Sequence, residues 1–287
     1  MPSTRDLRRR IRSVKGTQQI TRAMQMVAAA KLRRAQAAVE QARPYADTLA
    51  RVLASLAART EHSHPLLERR EVSNVWLVVV TSDKGLCGSF NANLLRQGER
   101  ELRSERWSSV ELVALGRKGS DFFRRRSWSV VHEERETMSN LSAEDGPRLA
   151  KMFIDAFTVG QADEVWLLYN RFVSVLRQEI TTERLLPIEP PAVAQESDEA
   201  LVDYLYEPDP QTLLGVLLPS HVEAQVQRVL YDSAAAEQAA RMTSMDAATK
   251  NAGDMIDSLT LLYNRTRQAA ITKELLEIVS GAQALEA

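Results

Sequence analysis

The residues able to do chemistry are few and scattered. The densest group is Ser82-Asp83-Lys84-Gly85-Leu86-Cys87-Gly88-Ser89-Phe90-Asn91, which follows an apolar run. A glycine-bearing turn from strand into helix can cradle a phosphate on its backbone amides. This run fits neither G-x-G-x-x-G nor G-x-x-x-x-G-K-[ST], and no acid follows at the spacing that would hold a ribose. A tight strand-to-helix turn is the simpler reading. Cys87 is the only cysteine, which rules out an intrachain disulfide and a thiolate metal cage. No histidine lies beside it to act as a base, so a small packing residue is expected there. His62 and His64 flank Ser63 and make a poor metal site on their own, while His132 and His221 stand alone. Glu133 with Glu134, and Glu207 with Asp209, are acid pairs of a kind common on surfaces. These groups form no catalytic set, and no cofactor or metal is expected.

Composition narrows the classes further. The 287 residues are 44% hydrophobic and 26% charged, with a formal net charge of −1. That suits one large or two modest globular domains and argues against a chain wholly devoted to nucleic acid. No apolar run approaches the ~18–20 residues of a membrane-spanning helix. The Arg-rich, acid-poor start mimics an organellar transit peptide, but the helical pattern begins almost at Arg5 and leaves no separate presequence.

The elements that must position these residues are unequal. From Arg5 to Arg59 the only helix breakers are Gly16 and Pro44, and from Pro210 to Leu285 they are again sparse. Leu7, Ile11, Val14, Met24, Val27, Ala28, Ala35, Ala38, Ala42, Tyr45, Leu49, Val52 and Leu56 recur mostly at steps of three and four. Val222, Val226, Val229, Ala236, Ala240, Ala247, Ile256, Leu259, Leu262, Thr266, Ala269, Leu276 and Val279 do the same. That is the period of a seam between helices. About 55 residues make a helix on the order of 80 Å long, which needs a partner along its length. The two terminal helices are therefore expected to pair antiparallel, their alanines allowing close approach, as a rod carrying an inserted domain. An ordinary helical bundle is the alternative. Between Arg5 and Arg34 there are about ten basic residues and one acid, Asp6. A one-signed run this long is either a solvated face or a surface for an acidic partner.

The inserted segment alternates strand and helix signals. Strands are expected at Val75–Thr81, Leu112–Leu115, Trp128–Val131, Val165–Phe172 and Glu179–Leu186. Helices are expected at Asn91–Glu105, Lys118–Arg126 and Ala143–Val159, the last capped by Ser142. Such alternation predicts a mostly parallel sheet, followed by a linker over Glu189–Ser197.

Four stretches together resemble the gamma subunits of F-type ATP synthases: Ile11–Gln36 (IRSVKGTQQITRAMQMVAAAKLRRAQ), Thr81–Asn93 (TSDKGLCGSFNAN), Asp203–Pro210 (DYLYEPDP) and Glu237–Ala282 (EQAARMTSMDAATKNAGDMIDSLTLLYNRTRQAAITKELLEIVSGA). The resemblance runs nearly end to end. One departure is Gly16, where the family commonly has asparagine; it is expected to loosen the helix by about 1 kcal/mol. The resemblance implies an α+β fold, an antiparallel coiled coil of long N- and C-terminal helices with an inserted Rossmann-like α/β domain. The shaft helices would be residues 1–60 and 205–287, and the foot domain residues 70–195. It implies a central rotor shaft that has no catalysis or nucleotide site of its own. The shaft couples proton-driven rotation of the c-ring to ATP synthesis or hydrolysis in the head. The implied partners are the alpha and beta subunits, the epsilon subunit and the c-ring, with no nucleic acid, and with membrane association only through those partners at the cytoplasmic face of a bacterial inner membrane. By similarity, Met24, Arg241, Gln268 and Thr272 match beta-subunit contacts, and Tyr204 and Glu207 match foot contacts to the c-ring. For Arg241 an intrahelical pair with Glu237, four residues earlier, is the competing role. Two other readings remain open: a coiled-coil adaptor binding nucleic acid or another acidic partner through the basic first helix, and a small α/β nucleotide-binding enzyme with helical arms.

Overall fold

The computed structural model describes residues 3–59, 64–104, 106–189 and 209–286. Its elements are α1 (Thr4–Arg59), β1 (Val75–Val80), α2 (Phe90–Arg103), β2 (Val110–Leu115), α3 (Arg117–Arg124), β3 (Val130–Glu134), α4 (Asp145–Val159), β4 (Glu164–Phe172), β5 (Gln178–Leu186) and α5 (Pro210–Glu286). The chain forms two compact units. One joins residues 1–28 to 242–287, and the other runs from Ala29 to Arg241. Both long helices contribute to both units.

The helix starts are chemically defined. At α1, Ser3 Oγ accepts from the Asp6 amide (3.2 Å) and donates to the Asp6 carboxylate (2.7 Å). Each group thereby satisfies the other at a helix end that would otherwise leave amides unpaired. Those bonds hold the Asp6 carboxyl below its ordinary range. At α5, Asp209 Oδ1 accepts from the amides of Gln211 (3.0 Å) and Thr212 (2.9 Å). Pro210 takes the first helical position, where its missing amide costs nothing. Asp209 is therefore a helix cap. Between these starts and the helix ends, Pro44 and Pro219 are carried inside the helices.

The larger unit is built on a five-stranded sheet of order β3-β2-β1-β4-β5. The first four strands are parallel, and β5 returns antiparallel to β4. Strand β1 is buried along its whole length because it is central and covered on both faces. On one face Trp76, Val78, Val80, Leu167 and Tyr169 pack with Phe153 and Phe157 of α4, with Leu49, Leu53 and Leu56 of α1, and with Leu218, Val222 and Val226 of α5. On the other, Leu77, Val79, Leu112 and Leu168 pack with Leu94 and Leu95 of α2 and Phe123 of α3. Each large side chain so buried contributes roughly 1.5–3 kcal/mol.

The mostly parallel sheet agrees with the sequence reading, with small differences at the ends. Strand β3 begins at Val130, since Trp128 packs as a half-buried side chain beside the second face. Helix α4 begins at Asp145, so Ser142 is not its cap. Ser142 instead donates its amide (2.8 Å) and hydroxyl (3.0 Å) to the Asp145 carboxylate, closing a turn just outside the helix. Of the expected linker, only Glu189 lies within the described residues.

In the smaller unit the two helices run antiparallel. Arg8 meets Tyr263, Gln18 and Thr21 meet Thr249, and Gln25 meets Asp246. Leu7, Ala28, Met245 and Ala252 are its buried apolar residues among those described. Ala247, Leu262, Ala269, Leu276 and Val279, expected in the seam, are exposed. Ile256, Leu259 and Thr266, also expected there, are half-buried, and Thr249 and Tyr263 join the seam through their bonds to α1.

Candidate functional site

In an open parallel sheet the ligand crevice lies at the carboxyl ends of the strands where the order reverses. Here that place is between β1 and β4, and the chain fills it itself. The loop after β1 folds back on its own bonds. The Ser82 amide donates to Asn91 Oδ1 (3.0 Å), Asn91 Nδ2 donates to Ser82 Oγ (2.7 Å), and Ser82 Oγ donates to the Lys84 carbonyl (2.7 Å). Cys87 and Phe90 pack against Ala236 and Ala240 of α5. Burial pushes the Cys87 thiol above its ordinary range, which is opposite to what a nucleophile needs. The buried Asp83 carboxylate accepts from the amides of Arg117 (3.0 Å), Glu136 (3.1 Å) and Ser139 (2.7 Å). It ties the ends of three segments together and faces no open site. Gly116 can only be glycine: its φ is +93°, and a Cβ would sit 2.2 Å from the Thr81 carbonyl oxygen.

Arg241 lies under the same loop. Its Nη2 donates to Glu237 Oε1 (2.6 Å), to the Gly85 carbonyl (3.1 Å) and, more weakly, to the Lys84 carbonyl (3.4 Å). The side chains of this pair are only 10% and 6% exposed. Burial raises the Glu237 carboxyl pKa, and Arg241 pulls it back. The pairing with Glu237 is thus realised. The tip above it carries Leu86, a non-glycine residue at φ +63° with 63% of its surface exposed.

Met24, Gln268 and Thr272 lie in the smaller unit. Met24 is half-buried on α1, next to the exposed Met26 and Val27. The basic residues Arg5, Arg8, Arg9, Arg10, Arg12 and Lys15 are exposed. Gln268 and Thr272 are exposed on α5, one turn apart, and the Thr272 hydroxyl donates to the Gln268 carbonyl (3.0 Å). Arg8 pairs with Tyr263, and α1 begins at Thr4, so α5 runs on past the first helical residue of α1. From Arg267 to Gly281 every residue is exposed, and Ile271, Leu275, Leu276, Ile278 and Val279 form an apolar stretch in water. An apolar stretch of that length on a helix marks a surface made to be covered by a partner. Tyr204 and Glu207 lie outside the described residues.

The other groups with chemical promise have structural work. His64 Nδ1 accepts from the Leu66 amide (3.2 Å). Glu133 pairs with Arg124 (2.9 Å), while Glu134 pairs with Arg148 (2.7 Å) and is held at a pKa of about 2 chiefly by that bond. Among the described residues no group of three or more His, Cys, Asp or Glu is placed to hold a metal, and no helix is long and apolar enough to cross a membrane. Two features escaped the sequence reading. The bare end of α5 was detectable from length alone, since a 77-residue helix outruns a 56-residue partner. The left-handed Leu86 carried no signal, because glycines on either side suggested that they alone take the turn.

Comparison with known proteins gives a consistent result. A family model described as ATP synthase matches residues 3–285. The chain is 48% identical over 287 residues to the ATP synthase gamma chain of Desulforamulus reducens, with all of both chains covered. It is 50% identical over 287 residues to that of Moorella thermoacetica, again with full coverage. Among solved structures it superposes on a chain from the central stalk and c-ring of the Tetrahymena thermophila mitochondrial ATP synthase. The TM-score there is 0.60 at 25% identity, covering 80% of this chain and 99% of the other. The fold also matches a chain of the Euglena gracilis mitochondrial ATP synthase with TM-score 0.70 at 22% identity, covering 98% and 94%.

Proposed function

The chain belongs to the ATP synthase gamma chain family, and from that premise we infer that it is the central rotor shaft of an F-type ATP synthase, a non-catalytic subunit that couples c-ring rotation to ATP synthesis or hydrolysis in the head. The observation that carries this reading is the full-length identity of about one residue in two to gamma chains, together with a helix end built to be covered. The exposed apolar stretch Ile271–Val279 suits the bore of a ring of alpha and beta subunits. A shaft turning among three similar sites must transmit torque and present a different side to each. Paired helices supply stiffness, and the one-signed face Arg5–Lys15 supplies asymmetry. Epsilon and the c-ring are its further partners.

The individual contacts follow the family motif. Met24, Gln268 and Thr272 would meet the beta subunits, the last two from the part of α5 that has no α1 beside it. Tyr204 and Glu207 would meet the polar loops of the c-ring. The subunit is peripheral, and its location would be the cytoplasmic face of a bacterial inner membrane, where its partners hold it. The switch-point crevice is occupied by Cys87, Ala236 and Ala240, which disfavours the reading as a nucleotide-binding enzyme.

The test is assembly. Tagged chain purified from its own cells in mild detergent should bring down alpha, beta and epsilon subunits with ATPase activity. A lone chain, or one carrying nucleic acid with a steep salt dependence, would overturn the rotor reading in favour of the adaptor.

A further inference from the structure

We propose that Arg241 is a positioning residue of the rotor, acting on the head through the loop Lys84–Leu86 that it holds. This rests on the rotor reading above, and it departs from the simplest use of the family motif, in which Arg241 touches the beta subunit directly. Its guanidinium is turned inward, onto Glu237 and the carbonyls of Gly85 and Lys84. Swinging it out toward a partner would strand the carboxylate of Glu237, whose side chain is 6% exposed. A buried charge that loses its partner is among the costliest arrangements in a protein.

The loop, in contrast, is made to be met. Leu86 holds a left-handed backbone conformation that a branched side chain avoids. Its side chain gains no burial in return, being 63% exposed. Strain of this kind persists only where the surroundings over-determine it, and it concentrates at functional points. The surroundings do so here: Ser82, Asn91 and Cys87 close the loop from within, and Arg241 holds it from α5. An apolar side chain fixed on a rigid tip is a low-entropy anchor for a partner surface. Arg241 thus sets the height and orientation of Leu86, and the contact with the head is made by Leu86.

The experiment uses the chain assembled with alpha and beta subunits. Leu86→Ala, Arg241→Gln and Glu237→Gln are each expected to lower ATP turnover three- to tenfold with the KM for ATP unchanged, because the nucleotide sites are untouched. The double variant Leu86→Ala/Arg241→Gln should be no slower than the slower single variant. Cys87, the only cysteine, reports the loop directly: in the isolated full chain its labelling by a maleimide should quicken at least tenfold in Arg241→Gln and stay unchanged in Leu86→Ala. Multiplying defects in the double variant, or full turnover in Leu86→Ala, would overturn the proposal and make Arg241 a direct contact. Leu86 is exposed, so its variant folds and decides the matter even where Arg241→Gln does not assemble. Failure of the wild-type chain to assemble would instead count against the rotor reading itself.

Discussion

The hydroxyls of Thr21 and Thr249 lie 2.7 Å apart across the two long helices, so one donates to the other, and the one that accepts keeps its own proton for a carbonyl of its helix, Gln18 (3.1 Å) for Thr21 or Met245 (2.7 Å) for Thr249. Gln18 Nε2 adds a weaker bond to the Thr249 carbonyl (3.4 Å). This stretch of the helix pair is therefore joined by polar contacts between small side chains, where a coiled coil would place leucines. Thr249→Val should cost about 1 kcal/mol, since it leaves the Thr21 hydroxyl facing a methyl group. The double variant Thr21→Val/Thr249→Val should recover most of that loss, because both partners then become apolar at the same volume. Thermal unfolding of the helix pair followed by circular dichroism checks this; a double variant as weak as the sum of the singles would refute the pairing.

The same seam sorts two leucines only three residues apart. Leu259 is half-buried, whereas Leu262 is 42% exposed. Leu259→Asp should weaken the pair by roughly 2–3 kcal/mol by placing a charge against apolar surface. Leu262→Asp in the isolated chain should stay within about 0.5 kcal/mol of wild type. Equal losses in the two variants would mean that the helix is rotated from the seam described.

These contrasts show where the sequence could be read and where it could not. The central strand was legible because Val75–Val80 is apolar on both faces, which only a covered parallel strand allows. The starts of the long helices were legible from their breakers. The phase of the seam beyond Ala240 was not. An apolar step of three or four fits either of two faces when the true contacts are Thr, Gln and Tyr, and the apolar stretch continues where no α1 lies beside it. Leu276 and Val279 were assigned to the seam for that reason. Arg241 illustrates a different limit: a motif places the residue, but only the fold shows that its charge is spent on Glu237 and the loop after β1.

Gly146 and Gln227 define a close approach of α4 to α5. The Gly146 amide donates to Gln227 Oε1 (2.8 Å), and a Cβ on Gly146 would meet that oxygen at 2.2 Å and the Gln227 Cβ at 2.7 Å. The oxygen can swing away but the Cβ cannot, so α4 must shift. Gly146→Ala should destabilise the larger unit by about 1–3 kcal/mol, with the helix propensity gain of alanine too small to offset it. Urea unfolding followed by tryptophan fluorescence reads this, as Trp76, Trp107, Trp128 and Trp166 all lie in that unit.

Tyr169 sets the alkaline limit of the same unit. It is fully buried on β4, its hydroxyl donating to Glu183 (3.3 Å) and accepting from Arg228 (3.3 Å). Burial pushes its pKa from 10.0 up to about 12, against the pull of Arg228. The folded state therefore keeps the phenolic proton where the unfolded chain has lost it. The resulting stability is complete below pH 10 and disappears as pH rises from 10 through about 12. Two pH units correspond to on the order of 2–3 kcal/mol. Tyr169→Phe removes this term together with the two bonds of the hydroxyl. The variant should be about 1 kcal/mol weaker at pH 8, yet its stability should fall less steeply between pH 10 and 12 than that of the wild type. Parallel slopes for the two chains in urea titrations across that window would mean that Tyr169 does not govern the alkaline transition.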